Sequence, residues 1–292
     1  MRGRYFWLLV VLTSLTVAGQ PQAWGSREPD PSAETKVSFE LYRDYLIVVH
    51  GSAGSLKDLN FLLDTGANLS VLDPRIATKL HLPVTPTDVA VLGGNARGGV
   101  ATLPSLQLGP ARKSDFRVLV EDMSFIQNAL PFRIDGIVGL DVLSQSAFVI
   151  DYASREIRFG PAPPMPLSTP LQMKHGLAIV DATVNHASVH LLLDTGASSL
   201  VLFDQMPPPP ASLKVAATHP SSKPIGSFAR EQTRRITLKL GDTDFGSQSA
   251  FMVQNSRDAG HDFDGLIGPA ALSITRVAID PAQGTFAFIR KP

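Results

Sequence analysis

Cysteine is absent from the 292 residues. That absence excludes disulfides, thiolate metal sites, a cysteine nucleophile and a lipid-modified N-terminal cysteine together. An excess of one charge is lacking too: 26 Lys and Arg stand against 26 Asp and Glu. No net field therefore draws the chain to nucleic acid or to an anionic membrane, and no nucleic-acid partner is expected. Charged residues reach only 18% while apolar residues reach 44%, which describes a folded globular chain. Aromatics are few, at 7%, and offer no evident platform for a sugar substrate. The 7 His are scattered and, His186 and His190 included, read as turn or surface residues, so neither a metal nor another cofactor is expected.

Long apolar runs are scarce. The one at the N-terminus follows Arg2 and Arg4, extends from Tyr5 to about Ala18 and gives way to Gly19, Gln20 and Pro21. Basic, apolar and small residues in that order read as a secretory signal peptide over residues 1–19, cleaved after Gly19 or alternatively after Gly25. At about 14 residues the run is short of the roughly 20 that span a bilayer. The expected location is periplasmic or secreted, with residues 20–36 as an N-terminal extension. Asn68-Leu69-Ser70 is a formal glycosylation sequon, but it lies beside an apolar strand where a sugar fits poorly.

What the chain does contain is a repeat. Phe61-Leu62-Leu63-Asp64-Thr65-Gly66-Ala67 returns 130 residues later as Leu191-Leu192-Leu193-Asp194-Thr195-Gly196-Ala197, and both copies run on to Val-Leu. Ile134-Asp135-Gly136-Ile137-Val138-Gly139 returns at nearly the same offset as Phe263-Asp264-Gly265-Leu266-Ile267-Gly268. Ile150-Asp151 and Ile279-Asp280 make a third match. Between the copies, Gly160 to Leu171 holds five prolines, which favour extended, unpaired chain. The expected organisation is a first lobe over 37–160, a proline-rich linker over 161–171 and a second lobe over 172–292.

Short apolar runs separated by turn residues predict strands. Leu46–His50 and Leu59–Leu63 form one expected hairpin around Gly51-Ser52-Ala53-Gly54. Leu177–Val184 and Val189–Leu193 form its counterpart around Asn185-His186. Val89–Leu92 and Val100–Leu103 flank Gly93-Gly94-Asn95 in another, and Phe148–Asp151 with Glu156–Phe159 close the first lobe. Asp73 caps a short helix that opens at Pro74 and ends near Leu80. Met206 and the four prolines after it predict an extended loop where the second lobe would carry the matching helix. The fold class is mainly β.

One Asp-Thr-Gly is a turn at a strand end; two, with matching apolar flanks, bring two carboxyls toward a common axis. Carboxylates about 3 Å apart cannot both ionise, so one keeps a proton and the other accepts one. Such a pair can activate a water held between them while polarising a carbonyl oxygen. The candidate catalytic residues are Asp64 and Asp194. Gly66 and Gly196 let the two loops approach where a Cβ would intrude, and Thr65 and Thr195 can hydrogen-bond across the axis. Asp135-Gly136 and Asp264-Gly265 read as structural supports beneath the two turns.

On these residues, with Ile137-Val138-Gly139 and Leu266-Ile267-Gly268, the chain resembles the pepsin/retropepsin-like aspartic proteases over about residues 37–290. The resemblance implies a bilobed acid-protease-like fold of two pseudo-twofold-related β lobes, hydrolysis of peptide bonds in proteins or extended peptides, no covalent intermediate and no metal. It departs from the pepsins where Ala67 and Ala197 follow the triplets, and in having no tyrosine between Val84 and Gln107. Gly93, Gly94 and Asn95 resemble part of a glycine-rich substrate-binding flap. The leading expectation is a monomeric aspartic endopeptidase. The alternatives are a homodimeric enzyme, a non-catalytic peptide-binding module of the same fold, and a carbohydrate-active protein using two acids.

Overall fold

Runs of Val, Ile, Leu and Phe broken by Gly, Asn and Asp favour extended chain. Strands accordingly account for 60% of the structure and helices for 8%. The structure is a computed structural model and describes residues 11–12, 36–91, 94–127, 130–203, 231–253 and 262–291. The signal-peptide segment 1–19 and the extension 20–36 lie almost wholly outside these residues. From them come Val11–Leu12 (β1), which pairs antiparallel with Val91 and Ala90, and Lys36, which opens the next strand.

The first lobe runs β2 (Lys36–Tyr42), β3 (Leu46–Ala53), β4 (Leu56–Leu63), β5 (Val71–Leu72), α1 (Pro74–Lys79), β6 (Thr85–Val91), β7 (Gly94–Leu108) and β8 (Ala111–Val120), then α2 (Ser124–Gln127), β9 (Gly136–Val138), α3 (Leu140–Leu143), β10 (Phe148–Asp151) and β11 (Glu156–Phe159). The second runs β12 (Leu167–Lys174), β13 (Leu177–Val184), β14 (Ala187–Leu193), β15 (Leu200–Phe203), β16 (Glu231–Leu240), β17 (Thr243–Val253), β18 (Gly265–Ile267), a 3-10 turn at Pro269–Leu272, β19 (Ile274–Asp280) and β20 (Thr285–Arg290).

The two lobes repeat one pattern of pairing. In the first, β4 lies parallel to β9, β9 antiparallel to β5, and β5 parallel to β8. In the second, β14 lies parallel to β18, β18 antiparallel to β15, and β15 parallel to β17. Phe61, Leu62 and Leu63 are all buried, as are Leu191, Leu192 and Leu193. Strands covered on both faces lose the polar alternation of a half-solvated sheet, so the apolar run before each Asp-Thr-Gly follows from its central place.

Beneath the lobes, β2, β11, β10, β19, β20 and β12 join in that order into one antiparallel sheet drawn from both halves. Its centre is the β10–β19 pair, where Phe148 faces Ile279 and Asp151 faces Arg276. One apolar core runs from Ile47, Phe61 and Phe148 in the first half to Leu191, Leu238 and Phe288 in the second. Truncation of such a fully buried Leu costs about 2–5 kcal/mol.

The strand boundaries depart from the sequence reading at three places. The first hairpin turns at Gly54, with φ of 54, because Ser52 and Ala53 stay in β3 to pair with Gln107 and Leu106. The hairpin around the expected flap is longer than its apolar residues suggested, with Thr85 already opposite Val100 and Val91 opposite Gly94. The proline-rich segment is unpaired only as far as Pro166. From Leu167 it is strand β12, paired with β20, and Pro170, which has no N–H to donate, fits there at no loss. Asp73 accepts from the Arg75 N–H at 2.9 Å and caps α1 as its sequence predicts. The extended loop expected after Met206 lies outside the described residues.

Candidate active site

Parallel pairing of β4 with β9 carries the chain to Asp64, whose N–H donates to the Val138 carbonyl at 3.0 Å. In the second lobe the Asp194 N–H donates to the Ile267 carbonyl at 3.1 Å. Each backbone then turns back on its own aspartate: Gly66 N–H donates to Asp64 Oδ1 and Gly196 N–H to Asp194 Oδ1, both at 2.8 Å. The sequence expectation that glycine is needed for close approach is met in a measurable way at Gly66. A Cβ there would lie 2.8 Å from Asp194 Cγ and 3.0 Å from both carboxyl oxygens. The two loops therefore touch across the lobe boundary.

Thr65 and Thr195 join them. Thr65 N–H donates to Thr195 Oγ1 at 3.1 Å, and Thr195 N–H to Thr65 Oγ1 at 3.0 Å. The hydroxyls donate in turn across the axis, Thr65 to the Leu193 carbonyl at 2.8 Å and Thr195 to the Leu63 carbonyl at 3.2 Å. Asp64, Thr65, Asp194 and Thr195 are all buried.

The two carboxyls act on each other's protonation. Burial, followed by the Asp194 charge, raises Asp64 well above its ordinary value, against the pull of the Gly66 amide. Burial also raises Asp194, to about 6, while the Asp64 hydroxyl and the amides of Gly196 and Ala197 restrain it. Both carboxyls are thus raised, and they titrate as a pair that loses its two protons in separate steps. A shared proton between unequal carboxyls suits one group to act as acid while its partner acts as base.

Asp64, Thr65, Gly66, Asp194, Thr195 and Gly196 thus meet at one place. Gly94 and Asn95 lie at the end of the β6–β7 hairpin, opposite Val91 and Ala90; Gly93 is outside the described residues. Asp135 and Asp264 do what was read for them: Asp135 Oδ2 accepts from the Asn60 N–H at 2.9 Å and Asp264 Oδ2 from the His190 N–H at 2.8 Å, each bracing the strand that leads to an aspartate. His186 is exposed in the β13–β14 turn, and His190, on β14, lies 3.5 Å from Asp181 and 3.6 Å from Asp264.

Sequence reasoning missed two kinds of neighbour. Tyr152 is raised by burial and then by the Asp194 charge. Tyr45 is raised by burial, with Arg43 opposing and Asp194 adding. Neither tyrosine lies in a motif that could have announced it. Ser70, Lys113 and Asp141 stand behind the Asp64 loop, and two of them carry a signal in the repeat: Ser70 and Asp141 are polar where their counterparts in the second lobe, Leu200 and Ala270, are apolar.

Residues 49–142 match the model of a family described as aspartyl protease. Among solved structures, the crystal structure of basic 7S globulin from soybean is similar at 12% identity and a TM-score of 0.47, over 87% of this chain and 94% of that one. No curated protein matches the chain.

Proposed function

We propose, on the premise that this chain belongs to an aspartyl protease family, that it is an aspartic endopeptidase with Asp64 and Asp194 as its catalytic pair. The observation that carries the proposal is a buried pair of aspartates, both raised by burial, on two touching loops locked together by Thr65 and Thr195. An extended peptide lies across the two loops and pairs its backbone with the β6–β7 hairpin, where Gly94 and Asn95 serve as the flap.

The chemistry follows from the proton asymmetry. The ionised Asp194 removes a proton from a water held between the carboxyls, and the oxygen of that water bonds to the scissile carbonyl carbon. The Asp64 hydroxyl donates to the carbonyl oxygen and meets the negative charge developing there. A tetrahedral diol results, neutral and bound to no enzyme atom. With the Asp64 proton now on the former carbonyl oxygen, the proton held by Asp194 passes to the leaving nitrogen, one diol hydroxyl returns its proton to Asp64 as the carbonyl re-forms and the C–N bond breaks, and the pair again holds one proton. Both carboxyls come from one chain, so a monomer suffices. The Arg2, Arg4 and Tyr5–Ala18 segment exports the chain to a periplasmic or secreted location, where its substrates are proteins or extended peptides.

Hydrolysis of a mixed peptide library by the mature chain from pH 3 to 8, with and without a statine-type transition-state analogue, tests this. Cleavage that the analogue blocks, and that falls by about 10²-fold or more in both Asp64→Asn and Asp194→Asn, is expected. Full activity in either variant overturns the reading. A folded chain that binds the analogue but cleaves nothing is a peptide-binding module instead.

A further inference from the structure

The two loops that carry the aspartates stand on different supports. In the first lobe the Leu140 N–H donates to the Ala67 carbonyl at 2.8 Å, and the Gly139 N–H donates to Ser70 Oγ at 3.1 Å. Ser70 in turn donates to Asp141 Oδ1 at 2.6 Å, and Asp141 Oδ2 lies 3.6 Å from the Lys113 ammonium. Lys113 also donates to the Asp141 carbonyl at 2.8 Å and packs over the Phe116 ring. Ser70 and the Asp141 side chain are buried.

Among the described residues the second lobe shows no such network. Leu200 stands in place of Ser70, Ala270 in place of Asp141, and Pro269, with no N–H, in place of Leu140. Its one corresponding bond runs from Gly268 N–H to the Ser199 carbonyl at 3.4 Å. The Asp194 loop packs closely on the backbone beneath it, with Gly268 so near the Ala197 carbonyl that a Cβ would lie 1.9 Å from its oxygen. The same fold therefore forms this loop with Leu200 and Ala270 where the first lobe has Ser70 and Asp141. A buried carboxylate and its lysine carry a desolvation cost that an apolar replacement avoids, and the second lobe shows the replacement to be available.

We propose that Asp141, oriented by Lys113, is a positioning residue that fixes Asp64 against Asp194 by holding Ser70 and, through it, the strand beneath the Asp64 loop. The proposal rests on the reading of Asp64 and Asp194 as the catalytic pair. Asp141 faces Lys113 from β8 and Ser70 from the Asp64 loop; burial raises its carboxyl, while the Lys113 charge and the Ser70 hydrogen bonds oppose that. The network ties the loop of one carboxyl to the segment beneath it through side chains, a tie that Leu200 and Ala270 cannot make for its partner. Loosening that seat lets the carboxyls separate, and separation weakens their coupling.

The test is a ¹³C carboxyl titration of the full chain, labelled at aspartate, with the Asp64 and Asp194 signals assigned through the two Asn variants. Ser70→Ala and Asp141→Ala are expected to bring the two apparent pKa values of the pair together by about one pH unit or more. The double variant Lys113→Met with Asp141→Asn removes both charges but keeps an oxygen for Ser70, and is expected to restore the separation. In peptide hydrolysis, Ser70→Ala lowers kcat by about tenfold to a hundredfold with little change in KM. Melting temperatures that fall while the separation of the two titrations stays that of wild type overturn the proposal. Should Asp141→Ala fail to fold, Ser70→Ala, which removes one oxygen atom, decides. Should the wild type cleave no peptide at any pH, the endopeptidase reading fails while the titration still decides the role of Asp141.

Discussion

Thr65 and Thr195 bind each other reciprocally, each offering its N–H to the other's hydroxyl oxygen at 3.1 and 3.0 Å. Their hydroxyl protons go on to the carbonyls of Leu193 and Leu63, so every polar atom of the pair that faces the lobe boundary is satisfied. Both residues are buried, and a fully satisfied network in a low-dielectric setting is stiff. The carboxyls on either side inherit that stiffness.

Replacing either threonine with valine keeps the shape and removes the hydroxyl. Thr65→Val leaves the Thr195 N–H and the Leu193 carbonyl without their partners, and leaving a buried group unpaired costs about 1–3 kcal/mol. The two single variants break different bonds of one stiff network, and loops already loosened by the first loss have less to lose to the second, so the double variant is expected to lose less than the sum of the singles. Urea unfolding of the two single variants and the double variant measures the coupling. Additive losses would mean that the two threonines act independently.

The carboxyl pair itself destabilises the fold as pH rises. Asp194 goes from an ordinary 3.8 to about 6 in the folded chain, and Asp64 is raised further by burial and the Asp194 charge. A group with a raised folded pKa binds its proton more tightly folded than unfolded. Its contribution is therefore whole below about pH 4 and is lost as pH climbs through the folded value. For Asp194 that loss is complete a little above pH 6 and is on the order of 2–3 kcal/mol, at about 1.4 kcal/mol per unit. Asp194→Asn is expected to melt above wild type at pH 7 and no higher than wild type at pH 4. A melting difference that does not change between the two pH values would count against a buried, proton-sharing pair.

Much of this was legible because the fold repeats. The apolar flanks of Asp64 and Asp194, the Gly136 and Gly265 landmarks and the β10 and β19 matches are each weak alone, but their common order places two loops on one axis, and the structure brings those loops into contact. Other features depend on tertiary pairing that no local pattern encodes. Ala53 stays extended past Gly51 because β7 offers it a partner, and the proline segment becomes β12 because β20 offers an edge. Ser70 and Asp141 are 71 residues apart, so their bond could be inferred only by asking why the first lobe has polar residues where the second has Leu200 and Ala270.

The lobes are also tied across the shared sheet, and this tie has the opposite pH sign. Arg276 Nε donates to Asp151 Oδ2 at 2.7 Å, and its Nη2 binds the same oxygen. Burial alone would raise Asp151, but the amides of Ser154 and Ala153 with the Arg276 charge outweigh it and leave the carboxyl below its ordinary value. A depressed value contributes stability above the unfolded pKa and loses it as pH falls through the folded one. Arg276→Met is expected to cost about 1 kcal/mol at pH 7, since the guanidinium is partly exposed, and progressively less below pH 4. Thermal melts of wild type and variant at pH 7 and pH 3 compare the two. A cost that stays the same on acidification would show that Arg276 acts through packing and not through its charge.

The same unequal carboxyls set the pH window of the proposed hydrolysis. Below about 6 both Asp194 and Asp64 hold protons, and no base is available to take a proton from water. As pH passes that value one carboxyl ionises, Asp194 in the proposed assignment, while its partner keeps a proton, which is the state with one acid and one base. At higher pH the second proton leaves and the carbonyl loses its hydrogen-bond donor. The kcat/KM profile of the free enzyme is therefore expected to be bell-shaped, with its acid limb near pH 6 and its maximum on the neutral side of that limb. The amides of Gly196 and Ala197 hold Asp194 down, so a change that withdraws them moves the acid limb upward. Ala197→Pro deletes one of those N–H groups outright. If the variant folds, its acid limb lies above that of wild type, while the alkaline limb, which belongs to the proton on Asp64, moves less. An optimum at pH 3 to 4 in wild type would mean that the pair ionises far more easily than its burial dictates, and that water reaches both carboxyls before substrate does.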